Sequence, residues 1–333
     1  MIIAEAGVNH NGDKETAKKL IKCAKDCGAD YIKFQLFNPD LLVAPNTTLA
    51  AYQKANTAYG DQHEMLKKLS LDQNDFREIF DYARALNFPI TATPFDYQSL
   101  NWLIDAKVEL IKISSGDITH KPLLERVAKS SIPTILSSGN STLDELKDAM
   151  GIFDRAGFNR ENLAMLQCTS QYPTPFNEVN LRAIETISQE LNVASGLSDH
   201  TPGIEIPIAA AALGAQIIEK HFTLDKTLSG PDHKASIDPS ELADMIAGIR
   251  HVESALGSGE KKPQESEIQN KEVVRRSIYF RKDLGVGSKV TPDDLIMLRP
   301  GFGISPMHVD DFIGCELRVN VNKFQLLDRS LFK

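Results

Sequence analysis

A chain of 333 residues, 42% apolar and 25% charged, can bury a large core and does not have the composition of a disordered protein. Its formal net charge of −8 argues against a nucleic-acid partner, and it requires any anionic ligand to be met by local cations. The four cysteines (Cys23, Cys27, Cys168 and Cys315) form no CxxC pair, which argues against a disulfide framework and for a reducing, cytoplasmic setting.

The opening MIIAEAG has neither a basic region nor a long apolar one and reads as a strand, not a leader. From there, short β-rich runs are expected at Ile2–Ala6, Tyr31–Gln35, Pro89–Thr93, Leu110–Ser114, Thr134–Ser138, Leu163–Thr169, Val193–Leu197 and Gln216–Phe222. Between them lie helical patterns at Lys14–Cys27, Gln73–Leu86, Pro122–Ser130, Thr142–Ala156, Leu181–Glu190 and Ile204–Leu213, with Pro239–Leu256 after the last run. Thr142 followed by Glu145 is a capping-box pattern. Pro89 and Pro133 stand at strand starts, where a missing N–H disturbs no ladder. Eight such units predict a (β/α)8 barrel over residues 1–256. A doubly wound open sheet usually has fewer strands and a Gly-rich first turn, which is absent here. The longest apolar stretch, Ile206 to Ile218, contains Gly214 and Gln216 and falls short of the ~20 residues of a membrane span.

Pro39–Gln62 is long and strand-free, as lids are. Residues 257–274 are polar, with Gly, Pro and charges, and read as a linker. Residues 275–333 change to short β-like pieces and turns, a small β-rich domain near the size limit for independent stability.

In a barrel the reaction belongs at the C-terminal rim. His200 and His221 each end an apolar run, so neighbouring parallel strands bring both imidazoles to that rim, where they can share a divalent metal. Glu219 shares the strand face of His221 and is expected to orient a water or an imidazole, with direct metal ligation the minority option. Lys33 and Lys112 stand inside strands, which is costly unless they meet an anion. Around them the rim collects Thr93, Ser114, Ser115, Ser137, Ser138, Thr169, Ser170 and Ser198, the hydroxyls of a phosphate and carboxylate pocket. At ~4 Å one charge pair contributes about 4 kcal/mol at an effective dielectric near 20, so two such lysines and a metal override the global charge. The bland alternative is that the lysines pair with structural carboxylates. Glu5 is open among metal ligand, lysine partner and sugar contact. His10 reads as a solvated loop residue, Asp232 as a polyol contact in a Gly/Pro turn, and His233 is ambiguous.

The segments AEAGVNHNGD, KFQ, TPFD, KISSGD, ILSSGN, CTSQYPTP, GLSDHT, EKHFTLD and GPDHKAS, in this order, resemble the sialic acid (nonulosonate) synthases. The tail with RPGFGISP resembles their C-terminal antifreeze-like (SAF) domain. The resemblance implies condensation of phosphoenolpyruvate with an N-acetylmannosamine-type sugar and release of phosphate. It also implies a divalent cation, Mn2+ or Mg2+, and a homodimer in which each antifreeze-like domain covers the partner's barrel. Carried over residue by residue, His200 and His221 match the metal ligands. Lys33, Thr93, Lys112, Ser115, Ser137, Ser170 and Ser198 match phosphoenolpyruvate contacts. Glu5, Tyr172, Asp232 and Arg299 match sugar contacts, with Glu5 and Glu219 the carboxylates expected in the chemistry. Ser170 stands where some members carry Asn, Asn140 where Met is usual and Ala92 where Ser is usual; these departures bear on the acceptor, not on the reaction class. The runner-up acceptor is a 2,4-diacetamido-2,4,6-trideoxy-hexose, giving legionaminic or pseudaminic acid. From another class, an ice-binding protein would present flat, uncharged faces, whereas this tail carries Arg275, Arg276, Arg281, Lys282, Asp293 and Asp294.

Overall fold

The computed structural model describes residues 1–333. Its first half runs β1 (Ile2–Gly7), α1 (Lys14–Asp26), β2 (Tyr31–Leu36), α2 (Pro39–Leu42), α3 (Ala51–Asn56), α4 (Gln62–Leu69), α5 (Gln73–Ala85), β3 (Ile90–Pro94), α6 (Tyr97–Asp105), β4 (Ile111–Ile113), α7 (Lys121–Ser130) and β5 (Thr134–Ser137). It continues with α8 (Leu143–Arg155), β6 (Leu163–Cys168), α9 (Ala183–Leu191), β7 (Ala194–Asp199), α10 (Glu205–Ala212), β8 (Ile217–His221), α11 (Pro239–Ala255), α12 (Glu265–Val274), β9 (Ser277–Phe280) and β10 (Leu295–Leu298). The capping box at Thr142 and Glu145 is formed.

Strands β1 to β8 are parallel in the order β3-β2-β1-β8-β7-β6-β5-β4. The two end strands meet, and the Thr91 hydroxyl donates to the Leu110 carbonyl at 2.5 Å, so the sheet is a nearly closed cylinder, the (β/α)8 architecture expected. Its inward positions change character along each strand. At the N-terminal end Ile3, Leu110, Ile135, Ala164, Leu166 and Ile217 form an apolar plug. Two residues further along β1, β4, β5, β6 and β8, the same faces present Glu5, Lys112, Ser137, Cys168 and Glu219. The polar rim is therefore a consequence of strand period and closure together.

Register then decides neighbours. Glu5 lies opposite Lys33 on one side and His221 on the other. Ser198 lies opposite Glu219, and Asp199 opposite Lys220. Asp199 and Lys220 sit on the other face of β7 and β8 and form a buried ion pair at 2.5 Å, with the Lys220 ammonium also bonded to the Thr201 carbonyl. This pair stands directly behind the two histidine-bearing strand ends. It had no signal beyond two ordinary charges in the sequence.

The segment expected as a strand-free lid has no strand, but it carries the short helices α2 and α3 and leads into α4. Local caps make such short pieces: the Asn38 side chain accepts from the Asp40 N–H, and Asp61 from the Glu64 N–H. Met65 and Leu69 bury against Val8 and Phe37. The expected linker likewise contains α12, which buries no side chain and leaves Ile268, Val273 and Val274 exposed among its polar residues. Contacts divide the chain into two compact units, Met1–Gly257 and Ser258–Lys333. The second unit has the antiparallel pair β9–β10 over its own core, including Ile278, Phe280, Leu295, Phe312 and Leu317. No helix is long and apolar enough to cross a membrane.

Candidate active site

The rim encloses a cavity of about 300 Å³, within the range of small-molecule sites. Its floor is an ionic network. The Lys33 ammonium lies 2.8 Å from Glu5 and 3.7 Å from Glu219, and donates to Thr93 at 3.0 Å. The Lys112 ammonium lies 3.4 Å from Glu219 and donates to Ser137 at 2.6 Å. Ser198 donates to Glu219 at 2.8 Å. Both lysines are 3% exposed, so each sign must compensate the other.

The compensation is uneven. Burial works against ionisation of Glu219, yet Lys112 and Lys33 prevail and hold its carboxyl below the usual range. Burial, aided by the neighbouring Glu219 charge, pushes the Glu5 carboxyl up, and Lys33 offsets this only in part. Burial lowers the Lys112 ammonium, whereas for Lys33 the two carboxylates overcome burial and raise it. The two ammoniums and the Glu5 and Glu219 carboxylates thus share one floor, and the lysines bring to it positive charge that a phosphate or carboxylate would meet. The lysines are paired with carboxylates, as the bland alternative has it, and they also face the cavity.

Gly139 shows how close the hydroxyls come. A Cβ there would stand 2.2 Å from the Ser170 Oγ and 2.7 Å from the Ser115 Oγ, and the Gly139 N–H donates to Ser115. Only a residue without a side chain leaves that corner open.

The His200 and His221 rings lie 5.5 Å apart, centroid to centroid. His200 Nδ1 is 2.8 Å from the Thr169 carbonyl, so Nδ1 carries a proton; burial opposes the charged form, yet the neighbouring Cys168 and that carbonyl raise this imidazole above its ordinary value. His221 Nδ1 is buried without a partner, and burial, with the charges of His200 and Lys33, holds that imidazole well below its ordinary value. In their neutral forms, which a cation would select, both rings have a nitrogen lone pair to offer a divalent ion. No group of three or more His, Cys, Asp or Glu gathers around them, so the side chains fit a two-imidazole site whose remaining ligands are oxygens of substrate or water. Neither imidazole is hydrogen-bonded to Glu219, whose partners are Ser198 and the lysines; its role as an orienter of histidine has no contact behind it.

Tyr172 stacks on His200 at 4.1 Å and meets His221 edge-on at 5.7 Å. Asp232 is buried beside this group, and burial pushes its carboxyl up to about 6 against the pull of His200 and Lys33. Arg299 is exposed and belongs to the second unit. His10 corrects the sequence reading: it is 1% exposed, accepts from the Gly12 N–H at 3.1 Å and packs on Phe34, and burial lowers its imidazole to about 4. His233 bonds Thr223 at 2.7 Å and Asn11 at 3.3 Å, tying the loop after β8 to the loop after β1. Sequence reasoning missed Tyr52, which stacks on Tyr172 at 4.9 Å, and the apolar side chains of residues 37–66, because nothing in a short helix says which rim it will cover.

Comparison with known proteins agrees with this arrangement. Residues 20–261 match the NeuB family model, and residues 275–327 match the SAF domain. The N,N'-diacetyllegionaminic acid synthase of Legionella pneumophila is 44% identical over 324 residues, covering 96% of this chain and 91% of that protein. The enzyme of the same name from Campylobacter jejuni is 43% identical, covering 98% of each. The crystal structure of N-acetylneuraminic acid (sialic acid) synthetase from Leptospira borgpetersenii, with citrate, superposes with a TM-score of 0.70 at 36% identity, covering 81% of this chain and 89% of that one. An eight-stranded barrel with a lysine-floored rim, a matching family model over most of its length and relatives above 40% identity place this chain in the NeuB family, with a SAF domain following the barrel.

Proposed function

We propose that this protein condenses phosphoenolpyruvate with an N-acetylated amino sugar to give a nonulosonic acid and inorganic phosphate. The observation that carries the reading is that Lys33 and Lys112 face one cavity from the same rim as the two imidazoles. In the reaction C3 of phosphoenolpyruvate bonds to the aldehyde carbon of the open-chain sugar, water adds at C2, and the C2–O bond to phosphate breaks. Lys33 and Lys112 hold the phosphate and carboxylate, with hydroxyls from Thr93, Ser115, Ser137, Ser170 and Ser198 completing the shell. Glu219, kept ionised by the lysines, accepts a proton from the attacking water. Glu5, Tyr172 and Asp232 face the sugar. His200 and His221 would hold a divalent cation, Mn2+ or Mg2+, which supplies a Lewis acid for the aldehyde oxygen. Fixing both reactants in one pocket contributes much of the acceleration.

For the acceptor, the 44% and 43% identities to N,N'-diacetyllegionaminic acid synthases, against 36% to a sialic acid synthetase, favour a 2,4-diacetamido-2,4,6-trideoxy-hexose over N-acetylmannosamine. Incubation with phosphoenolpyruvate, Mn2+ and each sugar is expected to release phosphate and give a product of the summed mass plus water minus phosphoric acid, fastest with the diacetamido sugar. Phosphate release without a carbon–carbon adduct would refute the reading.

The assembly proposed is a cytoplasmic homodimer in which the SAF domain of each subunit covers the partner's barrel and Arg299 reaches the acceptor's N-acyl group. Arg299→Ala is then expected to raise the acceptor KM about tenfold or more, with the phosphoenolpyruvate KM unchanged. Equal effects on both substrates would count against a sugar-side role.

A further inference from the structure

The cavity has two chemically different sides. All of its charged groups stand on the strand ends. The side formed by residues 37–66 and the end of β3 presents apolar side chains, chiefly Phe37, Val43, Met65, Leu66 and Phe95. All of these but Val43 pack as one cluster with Val8 and Leu69 behind them, and Val43 lines the cavity beside it. The polar groups this segment turns to the cavity are limited to Tyr52, Gln53 and Gln62.

The wall is tied to the reacting end. Tyr52 stacks on Tyr172 at 4.9 Å, Tyr172 stacks on His200 at 4.1 Å, and the Asn56 amide donates to the Pro231 carbonyl at 3.2 Å. A sugar whose aldehyde is held near the imidazoles, with phosphoenolpyruvate on the lysine floor, has this wall left for the far end of its carbon chain.

We infer that this apolar wall selects acceptors whose far end is deoxygenated, so that Val43 and Leu66, with Met65 behind them, discriminate a terminal methyl from a hydroxymethyl group. The inference rests on the condensation reading above and adds the residues that set its acceptor. A methyl replaces water against apolar side chains, whereas a hydroxyl turned to Val43 and Leu66 gives up its water to groups that cannot hydrogen-bond it. An apolar pocket of this kind separates such a pair by roughly 10- to 200-fold.

The test uses a matched pair, N-acetylmannosamine and its 6-deoxy analogue, each with phosphoenolpyruvate and Mn2+. The wild-type chain should favour the 6-deoxy sugar by about 100-fold in kcat/KM. Leu66→Gln and Val43→Thr change half-buried positions, and each should shrink that preference about tenfold while leaving the phosphoenolpyruvate KM, which also reports correct folding, unchanged. Equal kcat/KM for the two sugars in the wild type, or a preference that neither variant moves, overturns the inference and leaves the condensation intact. No turnover with either sugar or with the diacetamido acceptor removes the condensation reading, and the inference with it.

Discussion

His221→Ala is expected to lower kcat/KM by about 10³-fold, some 4 kcal/mol of transition-state stabilisation, and to abolish tight Mn2+ binding measured by calorimetry. The size follows from the site's small donor set: two imidazoles, with no three His, Cys, Asp or Glu placed to hold a metal together. Removing one of two side-chain ligands leaves a single neutral nitrogen, which binds a divalent cation weakly. The fold should survive, because His221 ends β8 and bears its ring over the cavity, while the buried pair Asp199–Lys220 behind it is untouched. A variant with full metal affinity and full turnover would refute the ligand assignment.

Glu219→Gln is the second large effect. Glu219 stands between Lys33 and Lys112, and its negative charge raises the Glu5 carboxyl. With a neutral amide there, kcat should fall by roughly 10² to 10³, the contribution of a general base. The phosphoenolpyruvate KM should stay level, because Glu5, relieved of the Glu219 charge, ionises more readily and offsets the lost carboxylate. A KM that rises in step with the loss of kcat would show that Glu219 organises the lysines and does not act on water. The pH dependence has a definite sign. The folded-state carboxyl is depressed, so its stabilisation is complete above the unfolded value of 4.5 and is lost as pH falls through that value toward the folded one. The difference in Tm between wild type and variant should therefore shrink in acid.

Much of this site was legible in the sequence because a barrel turns strand period into position. Inward residues two apart on β1, β4 and β8 pass from Ile3 to Glu5, Leu110 to Lys112 and Ile217 to Glu219, so the polar ends of eight runs had to meet once the sheet closed. Features that depend on packing outside that period were not legible. Lys220 lies between two site residues yet faces away, and only the register with Asp199 shows that it is paired. His10 looked solvated because a polar loop gives no sign that Phe34 will cover it. The helices α2 and α3 are too short to show periodicity, so neither the stack of Tyr52 on Tyr172 nor the apolar wall had a pattern to betray it. Glu5 stayed open among three roles until register placed it between Lys33 and His221.

Every role proposed above depends on one rim holding both the metal and phosphoenolpyruvate. Diffraction from crystals grown with Mn2+ and phosphoenolpyruvate, measured at the manganese absorption edge, addresses it directly. The expected result is an anomalous peak bonded to His200 and His221, with the phosphate and carboxylate of phosphoenolpyruvate in contact with Lys33 and Lys112 in the same cavity. A manganese peak away from both imidazoles, or phosphoenolpyruvate bound without either lysine, would contradict it.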